Sequence, residues 1–339
     1  MKKGFVLRKT LVGAAVMVLL SLSLAGCSGK STEAPAETAA AEENKEEKQA
    51  EPAPTEESEK KQDETQEENA AAEPEEKQEN SGGAANGSID VDALIKDAEA
   101  GDAEAQFELG YLYYYGVKVE KDYAKAAEWF TKSAEQGNAY GQCMLGICYL
   151  LGTGVEQNDE KGAEWVKKSA DQGLAAAQNQ LGNCYDNGVG VEQDYEKAAE
   201  WYTKAVEQGD ELAQNNLANL YYYGQGVEQD YGKAAELYTK AAEQGYSEAQ
   251  FNLGTLYYFG EGVEQDITKA IEWFTKAAEQ GHAEAQYSLG YIYSRGDGVE
   301  QDNEKAIEWF TKAAEQGHVR AKRNLEEMQS SGGDSPAAP

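Results

Sequence analysis

The residues able to do chemistry in this 339-residue chain are few and unevenly placed. Its four cysteines are Cys27, Cys143, Cys148 and Cys184, and its two histidines are His282 and His318. A zinc site or a Cys/His catalytic pair needs such groups at ligand spacing, and that spacing is missing here. There is also no glycine-rich phosphate loop and no Ser/His/Asp arrangement. Carboxylates are abundant enough for a pair to reach glycosidase separation by chance. Acids such as Glu200 and Glu272, however, fall on outward helix positions and read as solvated. The sequence therefore predicts no catalytic residue, no metal and no cofactor. The remaining polar chemistry is hydrogen bonding by two clusters 36 residues apart: Asn179, Asn183, Asp186 and Asn187, then Asn215, Asn219, Tyr222 and Tyr223.

What must position these groups is a repeat. From residue 102 the same pattern returns every 36 residues: Leu109, Leu145, Leu181, Leu217, Leu253 and Leu289 form one series, and Tyr113, Tyr149, Tyr185, Tyr221, Tyr257 and Tyr293 a second. Gly110, Gly146, Gly182, Gly254 and Gly290 follow the leucines, with Ala218 as the exception; Trp129, Trp165, Trp201, Trp273 and Trp309 recur, with Leu237 in the fourth unit. A fixed period of this size marks a solenoid, in which each unit is stable only against its neighbours. Leu217 and Tyr221 lie four apart, so they share one face of a helix A over Glu211 to Tyr223. Gly224 and Gly226 break that helix, and Asp230 stands where a side-chain oxygen caps helix B. The same place holds Asp122, Asn158, Asp194, Asp266 and Asp302. Cys148 and Cys184 occupy the position of Leu112, Leu220, Leu256 and Ile292, so they read as small buried hydrophobes. His282 and His318 both open a helix A and read as exposed chain ends. Two units carry departures with expected consequences. Lys118 replaces a loop glycine, so the first turn is expected to differ, and Gly162 replaces a helix B alanine, which is expected to loosen the second unit by about 1 kcal/mol.

The pattern resembles the Sel1-like repeats, relatives of the tetratricopeptide repeats, and Ala249 through Gly281 matches the unit of that family. The resemblance covers 102–317, with a leading helix B over 88–101 and a closing helix A over 318–328 as caps. It implies an all-α, right-handed α-solenoid with a domain over 89–329 followed by a tail at 330–339. It also implies a protein–protein interaction scaffold rather than an enzyme, with a cell-wall glycan or peptidoglycan-fragment binding or hydrolysing protein as the alternative. In tetratricopeptide-like arrays helix A lines the concave face, so the two polar clusters are expected to form a groove for an extended peptide, centred on Asn183 and Asn219. An asparagine both donates and accepts, and can pair with a peptide backbone. Aromatics on the outer units, Phe107, Tyr111, Tyr114 and Tyr115 at one end and Phe251, Tyr258, Phe259, Tyr287 and Tyr291 at the other, would supply apolar pockets. Removing both central asparagines is expected to weaken binding without moving the melting temperature.

The first 88 residues address location. A basic start, a 14-residue apolar run from Leu11 to Leu24 and then Ala25-Gly26-Cys27 read as a cleaved signal peptide over 1–26, because a spanning helix needs about 20 residues. Leu24-Ala25-Gly26-Cys27 resembles the lipobox of bacterial lipoproteins, which implies a diacylglycerol on Cys27 and an extracytoplasmic, membrane-anchored protein. Residues 27–88 lack aromatics, are rich in Glu, Ala, Lys and Pro, and read as a disordered tether with a reach of roughly 45 Å. The net charge of −32 argues against nucleic acid and favours a neutral or basic protein or peptide partner. The chain is expected to be a monomer.

Overall fold

A computed structural model describes residues 89–331. The leader, Cys27, the acidic segment to residue 88 and residues 332–339 lie outside the described residues. Fourteen helices and no strand follow one another among the described residues: α1 Val91–Glu99, α2 Ala103–Tyr115, α3 Tyr123–Glu135, α4 Ala139–Leu151, α5 Asp159–Asp171, α6 Ala175–Asn187, α7 Tyr195–Val206, α8 Glu211–Tyr223, α9 Tyr231–Glu243, α10 Ser247–Phe259, α11 Ile267–Glu279, α12 Ala283–Arg295, α13 Asn303–Glu315 and α14 Val319–Ser331. Each even-numbered helix from α2 to α12 is a helix A that packs on the helix B following it, and each B packs on the next A. The result is an all-α solenoid. The leading helix B is α1 and the closing helix A is α14.

The boundaries have local causes. Asp122, Asn158, Asp194, Asp230, Asp266 and Asp302 each accept the backbone N–H three residues on, at 2.9–3.0 Å. A cap of this kind contributes about 1 kcal/mol. Each helix A from α2 to α12 ends on a left-handed glycine, such as Gly188 at φ +68°. Between the helices the core is the Leu109 series, buried throughout, against Phe130, Val166, Tyr202, Tyr238, Phe274 and Phe310 of the B helices. The tryptophans sit half-buried beneath lysines one turn on, with Lys204 Nζ 3.5 Å from the Trp201 ring centroid.

Two departures resolve differently from expectation. Gly162 is closely packed and leaves no gap in the second unit. A Cβ there would lie 2.6 Å from Leu150 Cγ, and one on Gly146 would lie 2.6 Å from Val166 Cγ2 and 2.9 Å from the Gly162 carbonyl. Glycine faces glycine across α4 and α5, and the smaller Val166 replaces a ring, so the backbones themselves make the contact. Packing offsets the propensity cost. Lys118 does not alter the first turn either, since its φ of +59° is close to that of its glycine counterparts. A Cβ at Gly154 or Gly190 would sit 2.0 Å from the carbonyl oxygen of Tyr123 or Asp159, in the first turn of the preceding helix B. For Lys118 the residue equivalent to Tyr123 and Asp159, number 87, lies outside the described residues. The lysine amine donates to the Ile89 carbonyl at 3.2 Å.

Candidate functional site

The polar positions of the third and fourth repeats are drawn together, but not as an open row. Asn179 and Asn215 are buried, at 1% and 3% exposure. Asn216 Nδ2 donates to Asn179 Oδ1 at 3.0 Å and to Asn183 Oδ1 at 3.1 Å. Asn252 Nδ2 donates to Asn215 Oδ1 at 3.1 Å. These amides therefore bond one A helix to the next, and the expected outward direction of Asn179 and Asn215 is corrected: they face the neighbouring repeat.

Asn183 and Asn219 are half-buried and hold buried tyrosines. The Tyr202 hydroxyl donates to Asn183 Oδ1 at 2.7 Å and reaches Asp186 Oδ2 at 3.0 Å, while the Tyr238 hydroxyl donates to Asn219 Oδ1 at 2.5 Å. Burial pushes both phenols far above the ordinary value, so they stay protonated donors. Repeats three and four are the two with tyrosine where the others have Phe or Val, and the two with asparagine 19 residues earlier. The carbonyl oxygens of Asn183 and Asn219 are thus engaged. Their amide groups are not: Asn183 Nδ2 has only Gln180 Oε1 at 3.4 Å, and Asn219 Nδ2 has no protein partner among the described residues. Asn187 and Tyr223 are exposed beside them. Tyr222 is buried, its hydroxyl donating to Glu261 Oε2 in the next loop at 2.7 Å. What remains available on the A-helix side is a set of N–H donors next to a tyrosine ring.

The outer aromatics divide. Phe107, Tyr111 and Tyr114 are buried; Phe107 and Tyr114 pack on Phe130, Tyr111 packs on Phe107 and Tyr115, Tyr140 and Tyr123 are also in contact, and Phe251 is fully buried against Phe274. They are core, which corrects the expectation of pockets at the first unit. Tyr258, Phe259, Tyr287 and Tyr291 instead line an open pocket. The histidines are also corrected. His282 and His318 side chains are 12% and 8% exposed, stacked on Phe251 and Tyr287. Each Nδ1 accepts a backbone N–H, from Ala285 at 3.2 Å and Ala321 at 3.1 Å. The ring proton therefore lies on Nε2, which points at Glu248 or Glu284 about 3 Å away. They are helix caps.

Sequence reasoning missed a ladder of glutamines. Gln136, Gln172, Gln208, Gln244, Gln280 and Gln316 donate to the side-chain oxygens of Gln106, Gln142, Gln178, Gln214, Gln250 and Gln286 at 2.7–2.8 Å. The acceptors are buried, and most donate to an alanine carbonyl of the preceding helix B, as Gln106 does to Ala98 at 3.0 Å. A glutamine returning every 36 residues at two positions was the signal. Cys143, Cys148 and Cys184 are buried free thiols. Among the described residues no group of three or more His, Cys, Asp or Glu side chains is placed to hold a metal ion, and no helix is long and apolar enough to cross a membrane.

Acidic groups give the fold a pH dependence. The capping carboxyls of Asp122, Asp230, Asp266 and Asp302 are held below the ordinary carboxylate value chiefly by the backbone N–H they accept, and that of Asp194 chiefly by the Lys197 ammonium. Their contribution is present above the ordinary value and lost as pH falls through the depressed one. Asp210, which caps α8, is raised by burial to about 6. Its charge costs stability at neutral pH, a cost relieved between about 6 and the ordinary 3.8. Thermal melts should therefore show Tm rising from pH 7.5 to about 5 and falling below 4. Asp210→Asn should reduce the rise, leaving the part due to Asp186, which burial also raises, and to overall self-repulsion. A rise of the same size in that variant would contradict the assignment.

The chain matches the model for the Sel1 repeat six times, at residues 103–138, 139–174, 175–210, 212–246, 247–282 and 283–318. Among solved structures, a Sel1 repeat protein from Oxalobacter formigenes is 33% identical, covers 65% of this chain and 95% of its own, and superposes with a TM-score of 0.60. A protective antigen of uropathogenic Escherichia coli strains, displaying an SLR fold, is 34% identical over 71% of this chain, with a TM-score of 0.57. This chain spans 59% of that antigen. The secretory immunoglobulin A-binding protein EsiB of Escherichia coli O6:H1 is 43% identical over 48 residues, which is 14% of this chain and 10% of EsiB.

Proposed function

Because this chain belongs to the Sel1 repeat family, whose members are in general protein-interaction scaffolds, we propose that it binds an extended segment of a protein partner along its A helices. The observation that carries this is the set of amide donors at Asn183 and Asn219 beside the exposed Asn187 and Tyr223. Their carbonyl oxygens are taken by buried tyrosines, so the surface offers donors to the carbonyl groups of a strand. The acceptors of such a strand would be satisfied without competing with the core, and Tyr223 would cover an apolar side chain. Asn179, Asp186, Asn215 and Tyr222 position this surface rather than touch the ligand. A relative whose name records binding of an immunoglobulin favours a protein ligand, and the net charge of −32 favours a neutral or basic one.

We place the scaffold on the outer side of a membrane, tethered through a diacylglycerol on Cys27 and the acidic segment that follows. Cys27→Ala should move the protein to the soluble fraction; a variant retained on membranes as firmly as the wild type would sink the anchor. For binding, the full chain is used to capture its partner from intact cells, and the affinity of the isolated partner is then measured. Asn187→Ala with Tyr223→Ala removes two exposed side chains, together with the Asn187 amide bond to the Asn183 carbonyl and the Tyr223 contact with the Tyr222 ring, and should weaken it roughly 5–30-fold with the helix content kept. An unaltered affinity would remove the surface from this role.

A further inference from the structure

The open pocket noted above lies between the fifth repeat, the sixth and the closing helix. Tyr258 and Phe259 of α10 and Tyr287 and Tyr291 of α12 supply ring walls, and Arg320 and Arg323 of α14 complete it. Its free space is about 130 Å³, close to that of a cavity able to hold a single benzene ring. Register puts it in line with the central surface. Thr255 and then Tyr291, both in its lining, hold the place of Asn219 one and two repeats on, and Phe259 holds that of Tyr223.

The polar groups of these walls are spent on the protein itself. The Tyr258 hydroxyl donates to Asp297 Oδ2 at 3.0 Å, and that of Tyr287 is hydrogen-bonded to Asn324. Thr255 Oγ1 donates to the Phe251 carbonyl at 3.1 Å, and Ser288 Oγ to the Glu284 carbonyl at 2.8 Å. Arg320 is engaged and acts on Glu284, Arg323 Nε meets Glu327 Oε1 at 3.9 Å, and Arg295 Nε meets Asp297 Oδ2 at 3.9 Å. Each guanidinium at the rim thus has a carboxylate beside it, and the rim carries little net charge.

A charged occupant gains little from a balanced rim and loses its water on entry. An uncharged ring instead buries apolar surface and meets the wall rings at edge or face. A guanidinium plane also stacks on an aromatic face while its edge serves a carboxylate. The chain does not supply such a ring from beyond the described residues: 28–88 and 332–339 contain no aromatic residue, and 1–27 contains only Phe5, in the segment read as a cleaved leader. We propose that this pocket takes one uncharged aromatic side chain of the partner segment, one repeat beyond Asn219. The proposal rests on the reading of the A helices as a peptide-binding surface and adds the side chain that fixes the register of the segment.

The first test needs no partner. Ligand-observed NMR on the full chain follows N-acetylphenylalanine amide, its para-carboxy and para-aminomethyl derivatives, and N-acetylalanine amide. The first should bind saturably and roughly tenfold or more tightly than the other three, with an affinity that holds as salt rises. Ser288→Met fills the pocket with the residue that the second repeat buries at this place, Met144, and should abolish ring binding with the helix content kept. Phe259→Asn, which puts here the Asn187 of the third repeat, removes one wall and should weaken binding roughly fivefold or more. Asn187→Ala with Tyr223→Ala should leave it unchanged, which separates this site from the central surface. Equal binding of the four probes, or undiminished binding to both pocket variants, overturns the proposal. Ring binding seen only when the chain is diluted to a monomer assigns the pocket to a second copy and overturns it as well. A captured partner should lose roughly tenfold in affinity on Ser288→Met. An unchanged affinity there defeats this site but leaves the wider surface standing.

Discussion

Gly190→Ala is expected to lower the melting temperature by about 10 °C, the equivalent of roughly 3 kcal/mol in a domain of this size. Two costs add. Alanine at φ +70° adopts the left-handed region, at about 1–2 kcal/mol. Its Cβ would also lie 2.0 Å from the Asp159 carbonyl oxygen and 2.9 Å from Ala163 Cβ, so the loop must separate from the first turn of α5. That turn belongs to the preceding repeat, and the substitution therefore weakens a repeat-to-repeat contact on which neighbours depend. Lys118, at the equivalent position, provides the control. Lys118→Gly adds no Cβ; it removes the left-handed cost and gives up the amine bond to the Ile89 carbonyl, so it should raise stability by up to about 1 kcal/mol. Melts of the two variants by circular dichroism check the pair. Changes of similar size and opposite sign would show that conformation, not contact between repeats, sets the requirement for glycine.

Asn219→Ala is expected to cost about 2 kcal/mol, because it strands the buried Tyr238 hydroxyl, whose one acceptor among the described residues is Asn219 Oδ1. Tyr238→Phe in that background should recover most of the loss, since phenylalanine already fills this place in the first, fifth and sixth repeats. Asn183→Ala should cost less, as Tyr202 keeps Asp186 Oδ2 at 3.0 Å. Denaturant melts of the singles and the double give the coupling, expected at 1–2 kcal/mol. Additive effects would show that the asparagine and tyrosine do not act as a pair. A melting temperature unmoved by loss of both asparagines, as the residue types alone suggested, is therefore not the expected result.

The contrast marks what is readable in the residues. Helix limits were legible because they rest on local chemistry: Asp230 caps from its own sequence position, and Gly224 ends α8 whatever surrounds it. The alternation of A and B helices followed from the 36-residue register. The direction of Asn179 and Asn215 was not legible, since positions between the leucines and tyrosines of a helix A face either solvent or the next repeat, and the choice depends on how closely repeats stack. The partner that decides it, Asn216 or Asn252, lies 37 residues away. Lys118 and Gly162 misled for the same reason. Their local cost is real, but Lys118 takes the left-handed turn of its glycine counterparts all the same, and a second glycine facing across the helices turns the other into close packing. The tyrosine-for-phenylalanine exchange at Tyr202 and Tyr238 was visible in the sequence and would have assigned the asparagine oxygens to the core.

Hydrogen exchange on the full chain, free and with its captured partner, tests the binding surface most directly. The account predicts added protection in Ala175–Asn187 and Glu211–Tyr223, with α7 and α9 unchanged. Protection confined to Tyr195–Val206 and Tyr231–Glu243, with the A helices exchanging as in the free chain, would contradict it.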